Sequence, residues 1–78
     1  MTSQKVSVKA KDVEITINGE PRTISSGSTA ADLIAQLGLT GKRLALEVNQ
    51  DIVSRSEYAR FTLQANDKVE VVHAIGGG

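Results

Sequence analysis

The sequence ends in three consecutive glycines, and the group there that could do chemistry is the carboxylate of Gly78. Without side chains, Gly76 and Gly77 can thread a narrow channel and leave the carbonyl of Gly78 open to nucleophilic attack. Three extended residues reach roughly 10 Å, which is enough to enter another protein's active site. A free carboxylate is a poor electrophile, and the sequence has no phosphate-binding loop motif. We therefore expect the chain to be a substrate that a partner activates with ATP, and not an enzyme.

Other residue types offer little chemistry. The absence of cysteine excludes disulfides, thiolate metal sites and cysteine nucleophiles. His73 is the single histidine, and with no nucleophile or ligand partner it indicates a residue on the strand surface or a contact for the activating enzyme. We expect no metal site and no catalytic residue, because the carboxylates are scattered with no catalytic or metal-binding spacing and are predicted to be solvated: Asp12, Glu14, Glu47, Glu57, Asp67 and Glu70.

The composition of the chain argues against nucleic acid and membrane as binding partners. Nine Lys plus Arg balance nine Asp plus Glu, and the chain has one Tyr, one Phe and no Trp. A neutral chain with so few aromatic residues lacks both the basic surface and the stacking platform that nucleic-acid binding needs. The sequence also lacks a membrane-spanning apolar run and the apolar core of a signal peptide. We expect a cytoplasmic protein that binds neither nucleic acid nor membrane.

The elements that must present the glycines begin with a β-hairpin. Residues 13–17 alternate between apolar and polar, which is typical of a half-buried strand. Asn18-Gly19 then predicts a tight turn, and residues 22–25 return as the second strand. Residues 2–12 are polar with two sizeable apolar side chains, which favours a flexible leader at residues 1–12.

A helix follows the hairpin, because apolar residues from Ala30 to Leu37 recur at helical spacing. Ser28 or Thr29 is the predicted cap, with Asp32 completing a capping box if the cap is Thr29, and Gly38 ends the helix.

Three further strands are predicted after the helix. The first two cover residues 44–48 and 52–53, and a short turn of helix between residues 54 and 64 should place its apolar side chains, Tyr58, Phe61 and Leu63, against the core. The last strand, residues 69–75, runs directly into the glycines.

This order of elements predicts an α+β fold, a ubiquitin-like β-grasp. A mixed sheet of four to five strands would pack on one main helix, and the crossover through the helix would make one pair of strands parallel. The predicted division is a leader at residues 1–12, a β-grasp domain at 13–75 and a flexible tail at 76–78. A terminal triglycine alone would suggest a linker remnant. Its position after the last strand of this fold favours a delivery arm.

The last strand also carries candidate docking residues. Val72 and Ala74 have the opposite parity to Val69 and Val71, so one of these sets is a candidate for an exposed apolar docking patch beside the tail, and burial in the core is the alternative. We take residues 72–75 as candidates for contact with a partner: Val72, His73, Ala74 and Ile75.

The sequence resembles the ThiS family of sulfur carriers in residues 13–78. The resemblance is carried by Val69-Glu70-Val71-Val72-His73-Ala74-Ile75-Gly76-Gly77-Gly78, by Leu46-Glu47-Val48-Asn49 and by Ile52-Val53-Ser54-Arg55-Ser56-Glu57-Tyr58. Ser54 stands where the family usually has Pro, Tyr58 where Trp is common, and Asn66 where Gly is frequent. These are packing and turn positions, so the departures leave the chemistry unchanged.

The resemblance implies a set of partners. A ThiF-type adenylyltransferase (E1-like) would use ATP to adenylate Gly78, and sulfur from a cysteine desulfurase persulfide would displace AMP. The resulting thiocarboxylate, a C-terminal 1-thioglycine, would supply sulfur to thiazole synthase (ThiG-like) for the thiazole ring of thiamin. The carrier itself would hold no cofactor.

Three alternatives remain open at this point. The first is a different sulfur destination, as in a MoaD-like subunit of molybdopterin synthase or a tRNA-thiolation carrier. The second is a ubiquitin-like modifier that joins Gly78 to a target lysine. The third is a plain interaction module with an incidental tail.

Overall fold

The computed structural model describes residues 12–73, which form five strands, one α-helix and one 3₁₀ helix. The strands are β1 (Asp12–Ile17), β2 (Glu20–Ser25), β3 (Leu44–Val48), β4 (Asp51–Val53) and β5 (Lys68–His73). Helix α1 spans Ala30–Gln36, and the 3₁₀ helix spans Arg55–Arg60. The predicted leader, apart from Asp12, and residues 74–78 lie outside the described residues. Strand β1 begins at Asp12, one residue before the predicted start.

The hairpin of β1 and β2 is confirmed. Asn18 and Gly19 form its two-residue turn with φ angles of 51° and 87°, the left-handed values that this kind of turn requires. The register pairs Ile17 with Glu20 next to the turn. Strand β2 begins two residues earlier than predicted and includes Pro21, which is tolerated because β2 is an edge strand.

Helix α1 begins with the predicted capping box. The Thr29 hydroxyl accepts a hydrogen bond from the Asp32 amide at 3.2 Å, and the Asp32 carboxylate accepts one from the Thr29 amide at 2.9 Å. Ser28 is not the cap, because its hydroxyl donates to the carbonyl of Ser25 at 2.7 Å. Gly38, with φ of 73°, follows the helix as predicted.

The sheet has the order β2-β1-β5-β3-β4, with β5 in the centre. Strand β5 runs parallel to β1 and antiparallel to β3, and the helical crossover separates the two halves of the sheet. This is the predicted β-grasp with five strands. The two ends of the described chain, β1 and β5, are therefore neighbours, and all other strands pair outward from them.

The core lies between the sheet and α1. Its buried apolar side chains come from every layer of the fold: Ile15, Ile24, Ala30, Leu33, Ile34, Leu46, Val48, Val53, Leu63, Val69 and Val71. Tyr58 and Phe61 are half-buried and pack against this cluster, so the predicted packing of the 54–64 segment is confirmed. The helix covers one face of the sheet. We call the opposite face the outer face.

Candidate functional site

Strand β5 leads toward the glycines, and its side chains alternate between the core and the outer face. Val69 and Val71 are buried, with 1% and 8% of their surface exposed, whereas Val72 is 58% exposed. Val72 is therefore on the outer face, and Val69 and Val71 face the core. His73 is exposed at the end of the strand. The other candidate site residues lie outside the described residues: Ala74, Ile75, Gly76, Gly77 and Gly78.

Val72 belongs to a small apolar surface on the outer face, which we call the outer-face patch and which comprises Ala45, Ile52 and Val72. Ala45 is paired directly with Val72, and Ile52 on the edge strand β4 is 75% exposed. The sequence analysis did not select Ile52, because the two-residue run Ile52-Val53 does not show which side chain faces the core. Among the described residues, Ile52 and Val72 are the two large apolar side chains left exposed, and their strands flank β3.

Two carboxylates lie within this surface. Glu47 and Glu70 are directly opposite each other on β3 and β5, and Glu47 is also paired with Ile52. Like charges in a cross-strand pair oppose folding by a few tenths of a kcal/mol. The arrangement therefore favours a partner that places positive charge between them.

The end of β5 is held by the side chain of Asn18. The backbone N–H of Asn18, the residue after β1, donates to the Val69 carbonyl at 2.8 Å. This is the last backbone hydrogen bond between this part of the chain and β5. The side-chain Oδ1 of Asn18 then accepts from the Val71 N–H at 2.9 Å, and Nδ2 donates to the Val71 carbonyl at 3.3 Å. One amide thus satisfies both backbone groups of a residue 53 positions away. We call this the Asn18–Val71 pair.

The start of β5 has a similar contact from the other side. Asn49, with φ of 54°, donates its backbone N–H to the Lys68 carbonyl at 2.8 Å, and its Oδ1 accepts from the Lys68 N–H at 2.9 Å. We call this the Asn49–Lys68 pair. Asn49 Nδ2 also donates to Asp67 Oδ1 at 3.0 Å, and the Gln64 N–H donates to Asp67 Oδ2 at 2.8 Å.

The prediction that Asp67 is solvated is wrong. The sequence analysis treated it as a solvated charge, but only 8% of its surface is exposed and both carboxylate oxygens accept hydrogen bonds. A surface depression of 460 Å³ beside β4 includes Asn49 and Asp67 in its lining. Because these polar groups are already bonded within the fold, the depression does not present them to a ligand.

Neither a metal centre nor a membrane-crossing helix occurs in the described part of the chain. Residues 12–73 contain no group of three or more His, Asp or Glu side chains placed to hold a metal ion. Their helices also lack the length and apolar content that crossing a membrane requires. The candidate site lies at the exposed end of β5, from which the sequence continues to Gly78.

Comparison with known proteins agrees with this geometry. The sequence model of the ThiS family matches residues 15–78. The sulfur carrier protein ThiS of Escherichia coli is 30% identical over 66 residues, which cover 85% of this chain and 100% of that protein. The crystal structure of the thiamine biosynthesis protein ThiS from Geobacter metallireducens superposes with a TM-score of 0.73 at 25% identity, covering 85% of this chain and 100% of that one.

A longer relative matches as well. The thiazole synthase of Magnetococcus marinus is 42% identical over 66 residues, which make up 85% of this chain and 20% of the synthase. The chain thus spans 20% of the length of the thiazole synthases that it matches.

The fold and the exposed end of its central strand define a small β-grasp protein of the ubiquitin-like class. With the family match extending from β1 through the final glycines, the chain belongs to the ThiS family.

Proposed function

We propose that this chain is a sulfur carrier of thiamin biosynthesis that works through the carboxylate of Gly78. The observation that carries the proposal is the family match, which covers the β-grasp domain and includes Gly76, Gly77 and Gly78. The structure supports it with a compact domain whose central strand ends at an exposed surface. In this proposal the domain is a handle that a partner binds, and the chemistry takes place in that partner.

The first step of the proposed chemistry is activation. A ThiF-type adenylyltransferase transfers the AMP group of ATP to the Gly78 carboxylate and releases pyrophosphate. A persulfide sulfur supplied by a cysteine desulfurase then attacks the acyl carbon, and AMP leaves. A thiolate then attacks the cysteine sulfur of the resulting acyl disulfide, forms a new disulfide with that sulfur and releases the thiocarboxylate. The chain needs no cofactor of its own, since ATP is bound by the activating enzyme.

The second step is delivery to a thiazole synthase. The thiocarboxylate gives its sulfur to the growing thiazole ring, and the carrier returns to the carboxylate form. The support for this acceptor is the thiazole synthase relative, in which a stretch 42% identical to this chain is part of a protein with that name. We infer that a thiazole synthase is the acceptor of the sulfur.

The surface that meets the activating enzyme is proposed to be the outer-face patch together with the exposed His73, and Ala74 and Ile75, which lie outside the described residues, stay candidates for the same contact. Val72 and Ile52 supply exposed apolar area. The cross-strand pair of Glu47 and Glu70 supplies negative charge on the same face. The complementary surface on the enzyme is an apolar area that carries Lys or Arg.

The function is tested by mass spectrometry of the purified protein. The native mass first establishes that the working chain ends at Gly78. Incubation with a ThiF-type adenylyltransferase, ATP and a persulfide donor should then exchange one oxygen for one sulfur. The control is a chain without Gly77 and Gly78, which should stay unchanged. High-mass adducts with lysine-containing proteins would show a modifier instead, and an inert native chain would contradict the proposal.

The destination of the sulfur is tested genetically. The intact chain should restore growth of a bacterial strain that requires the thiazole part of thiamin, and the truncated chain should not. Rescue of a molybdopterin-deficient strain in its place would redirect the proposal to the MoaD-like alternative.

The docking surface is tested with Glu70→Gln. Removing one charge of the cross-strand pair should raise the free energy of unfolding by about 0.3 kcal/mol. The same change should weaken binding to the adenylyltransferase about fivefold at low salt and less at high salt. Thr23→Ala, at the far edge of the outer face, is the matched control and should leave the affinity unchanged. Unaltered binding by Glu70→Gln would exclude this surface.

A further inference from the structure

We propose that Asn18 is a positioning residue that sets the direction in which the chain leaves β5 toward Gly78, a role that rests on the proposed sulfur-carrier function. The proposal starts from the large sequence separation between Asn18 and the residue that its side chain binds. Its side-chain amide binds the backbone of Val71, and the two residues are 53 positions apart in the sequence.

The side-chain contact takes the place of the backbone hydrogen bonds that β1 would make if it continued alongside β5. From Asp67 onward, alternate residues of β5 turn their backbone groups toward β1, where Thr16 and Asn18 donate to the carbonyls of Asp67 and Val69. The next residue to face that side is Val71, but the main chain has already turned away at Asn18-Gly19 to begin β2. The Asn18 side chain offers one acceptor and one donor, as a peptide unit would, and it bonds both groups of Val71.

The position of this contact gives it a role beyond stability. On the other side of β5, pairing with β3 continues to the register of Leu44 with His73. Without the Asn18–Val71 pair, the strand after Val69 would be held along that side only and could pivot about it. A pivot there would change the direction in which the strand ends at His73, and errors of about 1 Å in the placement of a reacting group can slow a reaction a hundredfold.

The chain contains a matched control. Asn49 is the same residue type, has a φ of 54° against 51° for Asn18, and likewise bonds the backbone of β5 through its side chain. It acts at Lys68, at the start of the strand. Glycine adopts both φ values without strain, so Asn18→Gly and Asn49→Gly each remove the side-chain bonds while keeping the turn.

The test compares the two variants in the thiocarboxylate-forming reaction, at a temperature where circular dichroism shows both to be folded. For Asn18→Gly we expect the kcat of the activating enzyme to fall about tenfold or more while KM for the carrier changes less than about threefold, since the outer-face patch remains. Asn49→Gly should keep kcat within about twofold. Hydrogen exchange of the Val71 amide should be faster in Asn18→Gly and unchanged in Asn49→Gly.

Three outcomes would decide otherwise. Equal kcat values for the native chain and Asn18→Gly, or equal losses in both variants, would overturn the positioning role while leaving the carrier function intact. Native exchange of the Val71 amide in Asn18→Gly would remove its structural basis. A native chain that forms no thiocarboxylate would instead refute the sulfur-carrier proposal itself.

Discussion

The two ends of β5 are held by the same residue type in different ways. At the start, the Asn49–Lys68 pair is joined to the buried carboxylate of Asp67, which also accepts the Gln64 amide, so several groups depend on one another. At the end, the Asn18–Val71 pair acts alone, with one bond at 2.9 Å and one at 3.3 Å. The difference indicates that the start of the strand contributes mainly to the stability of the fold, and the end mainly to the path of the chain beyond it.

The largest effect on this comparison should come from Asp67→Ala. It leaves the Gln64 N–H and the Asn49 side-chain amide without their acceptor in a place shielded from water, and we expect a loss of about 2–3 kcal/mol in the free energy of unfolding. Urea denaturation measures it. Asp51→Ala, at an exposed position on β4, is the control and should stay within about 0.5 kcal/mol of the native value. A similarly small loss for Asp67→Ala would show that the start of β5 does not depend on this carboxylate.

A smaller loss, about 1–2 kcal/mol, is expected for Asn49→Gly, because the variant loses two side-chain hydrogen bonds. Gln50→Gly is its control in the same turn. Gln50 is exposed with φ of 75°, a value that glycine adopts more easily than glutamine, so this change should be neutral or slightly stabilising. Equal losses in the two variants would assign the effect to the turn backbone and remove the contrast between the strand ends.

The smallest effect is the coupling between the two asparagines. Asn18 and Asn49 bond different residues of β5 and share no partner, so the unfolding free energies of the two glycine variants should add in the double variant to within about 0.5 kcal/mol. Denaturation of the two single variants and the double variant measures this. A larger coupling would mean that β5 responds as one unit, and the separation of stability from direction would fail.

The sequence predicted the features that arise from neighbouring residues. The Asn18-Gly19 turn and the Thr29–Asp32 capping box each involve residues no more than three positions apart, and both are present. The order of elements, and with it the β-grasp, followed from the change between two-residue and helical periodicity. Local rules were sufficient here because the local preferences of each segment agree with the global fold.

The features that the sequence did not predict depend on register between distant strands. Nothing near Asn18 indicates that its side chain bonds Val71, and nothing near Asp67 distinguishes a buried carboxylate from an exposed turn residue. Whether Val72 faced the core or the outer face was also undecided, since β5 carries valine at both parities. These questions are settled only by the pairings of β5 with β1 and β3. Gly78 lies outside the described residues, and its role stays a prediction.

The central place of β5 has a consequence for synthesis of the protein. The ribosome makes this strand after all the others, yet both halves of the sheet need it between them. A nascent or prematurely terminated chain that stops before residue 68 would leave one edge of β1 and one edge of β3 open, with their apolar faces uncovered. Folding can therefore be completed only when translation has reached the strand that precedes the glycines. The folded protein would then consist of chains in which β5 is complete.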